Sequence, residues 1–370
     1  MRRIALALPL LILVSACSSK PTPAPQPAPK PQPPTAISPR AHPAFGAVQP
    51  IVPLRGDFAN NASALRFIDM MVSRHEFNRQ ELQDLLGRTQ RLDWVIRLMD
   101  RQAPSYIPPS GPNGAWLRYR KKFITPDNVQ NGVAFWNQYE AELQRASRTY
   151  GVPPEIIVGI IGVETRWGRV MGKTRIIDAL ATLAFSYPRR AEFFSGELEQ
   201  FLLLARKEGA DPLAWKGSYA GAMGYGQFMP SSFARYAVDF DGDGHIDLWN
   251  PRDAIGSVAN YFKQHGWTTG DRVAVPASGQ APSLENGFKT QYPIGVLATA
   301  GLRPQGSLGH HRQASLLRLD MGRNYQYWYG LPNFYAITRY NHSTHYAMAV
   351  WQLGQSVADA RQRYSSVDRP

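Results

Sequence analysis

The chain predicts a mainly α, α+β protein: a helical body with an α subdomain and a small antiparallel β subdomain. Three observations carry that expectation. Apolar residues recur three and four apart through most of residues 57 to 148, and again beyond Pro153. From 269 to about 331 the pattern changes to short β-rich runs broken by Gly and Pro. From Gly56 onward about 310 residues remain, enough to bury a large core or two to three subdomains. No internal repeat is visible.

Residues 1–17 begin with Arg2-Arg3, run through the apolar stretch Ile4 to Val14 and end Val14-Ser15-Ala16-Cys17, the layout of a secretory signal peptide. The apolar part is too short to span a bilayer. A small-residue run ending in cysteine resembles the bacterial lipobox, which makes Cys17 the expected lipidation site. Cys17 is also the sole cysteine, so no intrachain disulfide is available despite export. An ordinary signal peptide with an incidental cysteine is the alternative. Ser18 rather than Asp follows, a pattern resembling lipoprotein cargo sent to the outer membrane, so the periplasmic face of that membrane is the expected location. Residues 18–55 are read as a tether, since ten prolines fall between Pro21 and Pro43. As polyproline II at ~3.1 Å per residue, the stretch from Ser18 to Ala44 reaches roughly 80 Å.

Residues 56–150 read as an α subdomain. "ASALRFIDMMVSRH", "ELQDLLGRTQRLDWVIRLMDRQ" and "AFWNQYEAELQRASRTYG" each carry helical spacing, and Gly151 stops the last. Residues 151–268 form a second helical block with two Gly-rich insertions. Residues 269–331, with "DRVAVPAS", "GFKTQYPIGVLATAG", "ASLLRLDMG" and "NYQYWYG", form the β subdomain. Residues 332–365 return to helix and to the core.

The 41 Lys and Arg against 28 Asp and Glu give a formal charge of +13, which favours polyanions. Nucleic acid is not the expected partner, because zinc-finger spacing, aromatic RNP runs and recognition helices are missing. In an exported lipoprotein the abundant polyanion is peptidoglycan. A charge excess that serves only solubility or lipid attraction is the other reading.

"GIIGVETRWGR", residues 159–169, poses the chemical question. Pro153-Pro154 starts a helix, Glu155 favours its positive end, and the apolar residues from Ile156 to Val163 cover nearly every face. Glu164 then sits among Ile160, Ile161 and Trp167 near the helix C-terminus. Apolar surroundings and the negative helix end both raise a carboxyl pKa, as a general acid requires. A buried Glu paired with Arg166 or Arg169 is the structural alternative. Further on, Gly217, Gly221, Gly224 and Gly226 demand sharp turns or close approach, between polar Ser218 and Gln227 and apolar Met223, Tyr225 and Phe228. That mixture suits a sugar, and an ordinary hairpin equally explains the glycines.

"VETRWG", "GAMGYGQFMPSS" and "RYNHSTHYAMAVWQL", in this order and spacing, resemble the lysozyme-like lytic transglycosylases, membrane-bound and soluble. The likeness covers about residues 60 to 365. It implies a goose-lysozyme-like core that cleaves the MurNAc-GlcNAc β-1,4 bond of peptidoglycan, with Glu164 as catalytic acid/base. It implies a substrate cleft at Ser218, Met223, Gln227, Phe228, Tyr340, Asn341 and Tyr346, with Arg189, Arg190 and Tyr261 as further cleft residues. Asn341 and Tyr346 are otherwise readable as helix-cap and core residues. Cell-wall synthesis proteins are candidate further partners.

"DFDGDGHIDLWNPRD", residues 239–253, opens like an EF-hand loop, with Asp239, Asp241 and Asp243 at positions 1, 3 and 5, Gly244 at the turn and the His245 carbonyl at position 7. Asn250 replaces the bidentate Glu at position 12, and the resemblance implies a longer loop closing on Asp253. Asp247 is the doubtful ligand, acting through water if at all. A structural Ca2+ is expected, and no organic cofactor. The remaining histidines form no H-E-x-x-H or other zinc pattern, which disfavours hydrolytic metal chemistry. The expected function is that of a lipid-anchored lytic transglycosylase leaving 1,6-anhydroMurNAc ends; the alternatives are a hydrolytic muramidase, a non-catalytic murein-binding lipoprotein and a calcium-responsive scaffold.

Overall fold

The computed structural model describes residues 53–102, 111–281 and 283–367, with side chains to residue 363, so the signal segment, Cys17 and the Pro-rich tether lie outside the described residues. Helix Ala62–His75 begins where Asn61 accepts hydrogen bonds from the Ser63 and Ala64 N–H groups at 2.9 and 3.1 Å. Its buried Ala64, Phe67, Ile68 and Met71 follow the three-and-four spacing. The second run expected as one helix is two, Arg79–Gly87 and Asp93–Gln102. Its break is held from outside: the Gln90 N–H donates to buried Asp178 and the Leu92 N–H to Thr182, both at 2.9 Å. The third run also divides, into Pro126–Gln138 and Glu140–Tyr150, at Tyr139.

Helix Pro154–Thr165 is buried from Ile156 through Val163. It runs antiparallel to Thr344–Val367. The crossing is close because two glycines permit it. A Cβ on Gly159 would stand 2.4 Å from the Val350 carbonyl oxygen, and one on Gly354 would stand 2.1 Å from that of Glu155. Glu155 faces Gly354 and Gly159 faces Val350, so the same register brings Glu164 to Tyr346. Helices Ile176–Ser186 and Ala191–Lys207 pack against each other.

The β subdomain is a five-stranded antiparallel sheet in the order Tyr292–Pro293, Gln313–Asp320, Tyr325–Gly330, Ala274–Ser278, Arg303–Pro304. It encloses a small core of its own, including Val275, Leu297, Leu316 and Tyr329. One segment departs from the β expectation: Ile294–Thr299 is a helix, entered at Pro293 and followed by Gly301 at φ 100°. Only Leu297 of this helix is buried, so its apolar run is a single anchor rather than an alternating strand face.

Candidate active site

The backbone after Glu164 turns sharply, with Arg166 and Trp167 at φ 50° and 56°. These left-handed residues end the helix and fold the Trp167 ring beneath it, where the indole N–H donates to the Val158 carbonyl at 3.2 Å. Gly162 leaves room for that ring, since a Cβ there would stand 2.5 Å from it. The Thr165 hydroxyl reaches the Tyr225 carbonyl at 3.0 Å and so ties the helix end to the Gly-rich segment. That segment is a tight hairpin in which Met223 and Phe228 pair. Gln227 at φ 51° makes its turn, and the side-chain amide donates to the Gly224 carbonyl at 2.9 Å. The glycine-rich segment is therefore a hairpin.

Glu164 is partly buried, with one edge on a cavity of about 300 Å³. Burial pushes its carboxyl up to about 7, and the hydrogen bond from the Tyr346 hydroxyl opposes that rise. The Tyr346 and Tyr340 hydroxyls are themselves held well above the ordinary phenol range, by burial first and by the Glu164 charge second. Tyr346 is thus a permanent donor. Pairing with an arginine is corrected here: Arg166 caps the helix and the Arg169 guanidinium donates to Asn131 at 2.8 Å. The physical reason is the left-handed turn, which swings both away from the helix face that carries Glu164.

Ser218, Gln227, Phe228, Tyr261, Tyr340 and Asn341 line the same cavity. The Tyr340 hydroxyl donates to the Gly226 carbonyl at 2.6 Å and the Tyr261 hydroxyl to the Arg339 carbonyl at 2.6 Å, fixing both rings. The helical return at 332–365 is two helices, the first being Pro332–Tyr340, and Asn341 is extended at φ −149°. That break presents Tyr340 and Asn341 to the cavity. Asn341 therefore closes a helix while also facing the cavity, and Tyr346 is both core residue and partner of Glu164. Three expected cleft residues lie elsewhere. Met223 is wholly buried under the hairpin. Arg190 stacks on Phe193 and Phe194, and Arg189 shares its short 3-10 turn, so neither lines the cavity. Tyr219, Met229 and Ser232 line it without having been singled out, although all three lie within the segment 217–236 that holds the glycines. A larger cavity of about 790 Å³ lies beside the sheet, but none of the described residues lining it is a carboxylate to supply the acid.

The profile of the transglycosylase SLT domain matches residues 59–355. The chain belongs to this transglycosylase family. The transglycosylase is 75% identical over 313 residues to the membrane-bound lytic murein transglycosylase B of Escherichia coli strain K12, spanning 84% of this chain and 87% of that protein. Its structure matches the Escherichia coli lytic transglycosylase SLT35 in complex with bulgecin A at a TM-score of 0.80 and 75% identity, covering 83% of this chain and 96% of that one. A complex of SLT35 with calcium matches at a TM-score of 0.79 and 74% identity, with 83% and 96% covered. The fold is therefore lysozyme-like, a helical core with a small antiparallel sheet.

In the transglycosylase's acidic loop, Asp239, Asp241 and Asp253 bring carboxylate oxygens within 4.8 Å of one another. Asp253 is buried and accepts the Phe240, Asp241 and Asp247 N–H groups. Burial raises its pKa, and those three bonds oppose the rise. An all-oxygen set of this kind fits a hard cation such as Ca2+. Asp243 is not one of the converging three, and its carboxylate accepts the His245 N–H at 2.8 Å. Asp247 accepts the Trp249 N–H at 2.8 Å. Asn250 donates to Asp241 at 2.7 Å and caps the following helix, so it organises the loop rather than closing it.

Proposed function

We propose that this lytic transglycosylase cleaves the MurNAc-GlcNAc β-1,4 bond of peptidoglycan with Glu164 as its one acid/base and leaves 1,6-anhydroMurNAc ends. The observation that carries this reading is that Glu164 is the sole carboxylate among the described residues lining its cavity. Retaining and inverting glycosidases ordinarily need two carboxylates, the second to form a glycosyl ester or to activate water. With one, the sugar cation is best captured by the substrate's own C6 hydroxyl, which has the advantage of proximity over a bimolecular water.

Glu164 starts protonated, which a carboxyl at about 7 allows near neutrality. Its proton passes to the glycosidic oxygen as the C1–O bond breaks and GlcNAc leaves with a free 4-hydroxyl. O6 of MurNAc then bonds to C1, the carboxylate takes the O6 proton, and the enzyme returns to its starting state. Ser218 and Gln227 orient the 2-acetamido group, while the Tyr261, Tyr340 and Phe228 rings offer faces to the sugar C–H groups. Family membership favours this turnover over a non-catalytic murein binder.

Asp239, Asp241 and Asp253 would hold a structural calcium, which supplies charge neutralisation within the loop and no step of the reaction. The Escherichia coli relative is named membrane-bound, and Cys17 is the proposed lipid anchor, holding the enzyme at the periplasmic face of the outer membrane. The division at 56–150, 151–268, 269–331 and 332–365 belongs to the same reading. The test is Glu164→Gln, which keeps shape but has no carboxylic proton. It should still bind glycan while losing roughly 10²–10⁴-fold in rate, and near-normal turnover would remove Glu164 from its role.

A further inference from the structure

We propose that Asp271, His310 and His311 form a second cation site, separate from the acidic loop and selective for a borderline divalent metal of the zinc class. Nitrogen and oxygen ligand atoms of the three residues lie within 4.8 Å of one another. His310 Nδ1 is 3.9 Å from Asp271 Oδ1, and His311 Nε2 is 3.4 Å from Asp271 Oδ2. Ligands at about 2.0–2.1 Å from a tetrahedral ion stand ~3.3 Å apart, so small side-chain adjustments around one ion suffice.

A second observation points the same way. His311 Nε2 is buried and makes no hydrogen bond, although Asp271 lies within ion-pair reach. The two atoms are close without being aligned, which leaves a buried lone pair or N–H unused. A metal between them would use it. Two imidazoles and a carboxylate are the donors that zinc accepts and that calcium does not favour. The His310 side chain is 75% exposed, so a fourth position stays open to water.

No zinc motif is visible in the sequence because Asp271 and the histidine pair are far apart along the chain. Folding unites them at the rim of the sheet: Asp271 precedes strand Ala274–Ser278, and His311 precedes strand Gln313–Asp320. Along with Arg312 and Gln313, His311 lines the cavity of about 790 Å³. The ion would therefore clip two strand entries together and fix one wall of that cavity, away from Glu164. Arg272 and Arg312, beside the ligands in sequence, oppose a positive occupant.

The chain lacking residues 1–44 is saturated with calcium to fill the acidic loop, then titrated with zinc by calorimetry and followed by thermal melting. One zinc equivalent is expected, with a rise of roughly 5 °C at about a hundredfold excess over Kd. Both should disappear in His310→Ala, whose exposed side chain can be removed without a cavity, and in Asp271→Asn. Retention of the full zinc stoichiometry in His310→Ala would overturn the site, as would no zinc binding by the parent chain. If Asp271→Asn fails to fold, His310→Ala decides alone.

Discussion

The Tyr346 hydroxyl donates a hydrogen bond to Glu164 Oε1 across 182 residues of sequence. The antiparallel glycine-permitted crossing of Pro154–Thr165 on Thr344–Val367 sets this contact. It supplies the one hydrogen bond that counteracts the effect of burial on the carboxyl. Removing it should therefore raise the Glu164 pKa further. In Tyr346→Phe the fall of activity on the alkaline side should move upward by about one pH unit, measured as the pH dependence of kcat/KM on glycan. An unmoved limb would show that Tyr346 serves only packing.

Glu164 also gives a stability signature. With its carboxyl at about 7 in the folded chain against 4.5 ordinarily, the native state holds a proton that the unfolded state has released between those values. Stability contributed by that proton is complete below about pH 4.5 and lost as pH rises through 7. Glu164→Gln escapes the loss, so near pH 8 it should be more stable than the parent by on the order of 2 kcal/mol, after allowance for partial exposure. At about pH 4.5 the two should melt together. Equal melting temperatures at both pH values would contradict the raised pKa.

Calcium that binds the folded loop stabilises by mass action. Chelation should lower the melting temperature, and Asp239→Ala should erase the difference between calcium and chelator, because Asp239 belongs to the converging trio. A melting curve indifferent to calcium in the parent chain would eliminate the site.

Anchoring and chemistry should separate. Cys17→Ala should leave the membrane fraction, while the purified region beyond residue 44 remains active. Membrane retention of that variant, with its signal peptide processed normally, would exclude lipidation at Cys17.

Local features were legible in the sequence, and contacts made at long range were not. The glycines at 217–226, the prolines at 153–154 and the acid ending an apolar helix each announce a backbone or electrostatic demand within a few residues. The hairpin, the helix start and the raised Glu164 pKa followed. The breaks at 88–92 and 139 did not, because the first depends on Asp178 and Thr182 from another helix, and the periodicity runs on through the second. Tyr346 was expected in the cleft through resemblance alone, and only the packed helices turn it toward Glu164. The helix at Ile294–Thr299 was hidden because a short apolar run reads equally as strand.

In the proposed reaction one carboxylate, Glu164, performs the cleavage without water. Purified sacculi digested with the region beyond residue 44 and analysed by mass spectrometry test it most directly. Muropeptides ending in 1,6-anhydroMurNAc are expected, lighter by one water than hydrolysis products and resistant to borohydride reduction. Mainly reducible MurNAc ends would contradict it, and would mean that a second carboxylate outside the present cavity activates water.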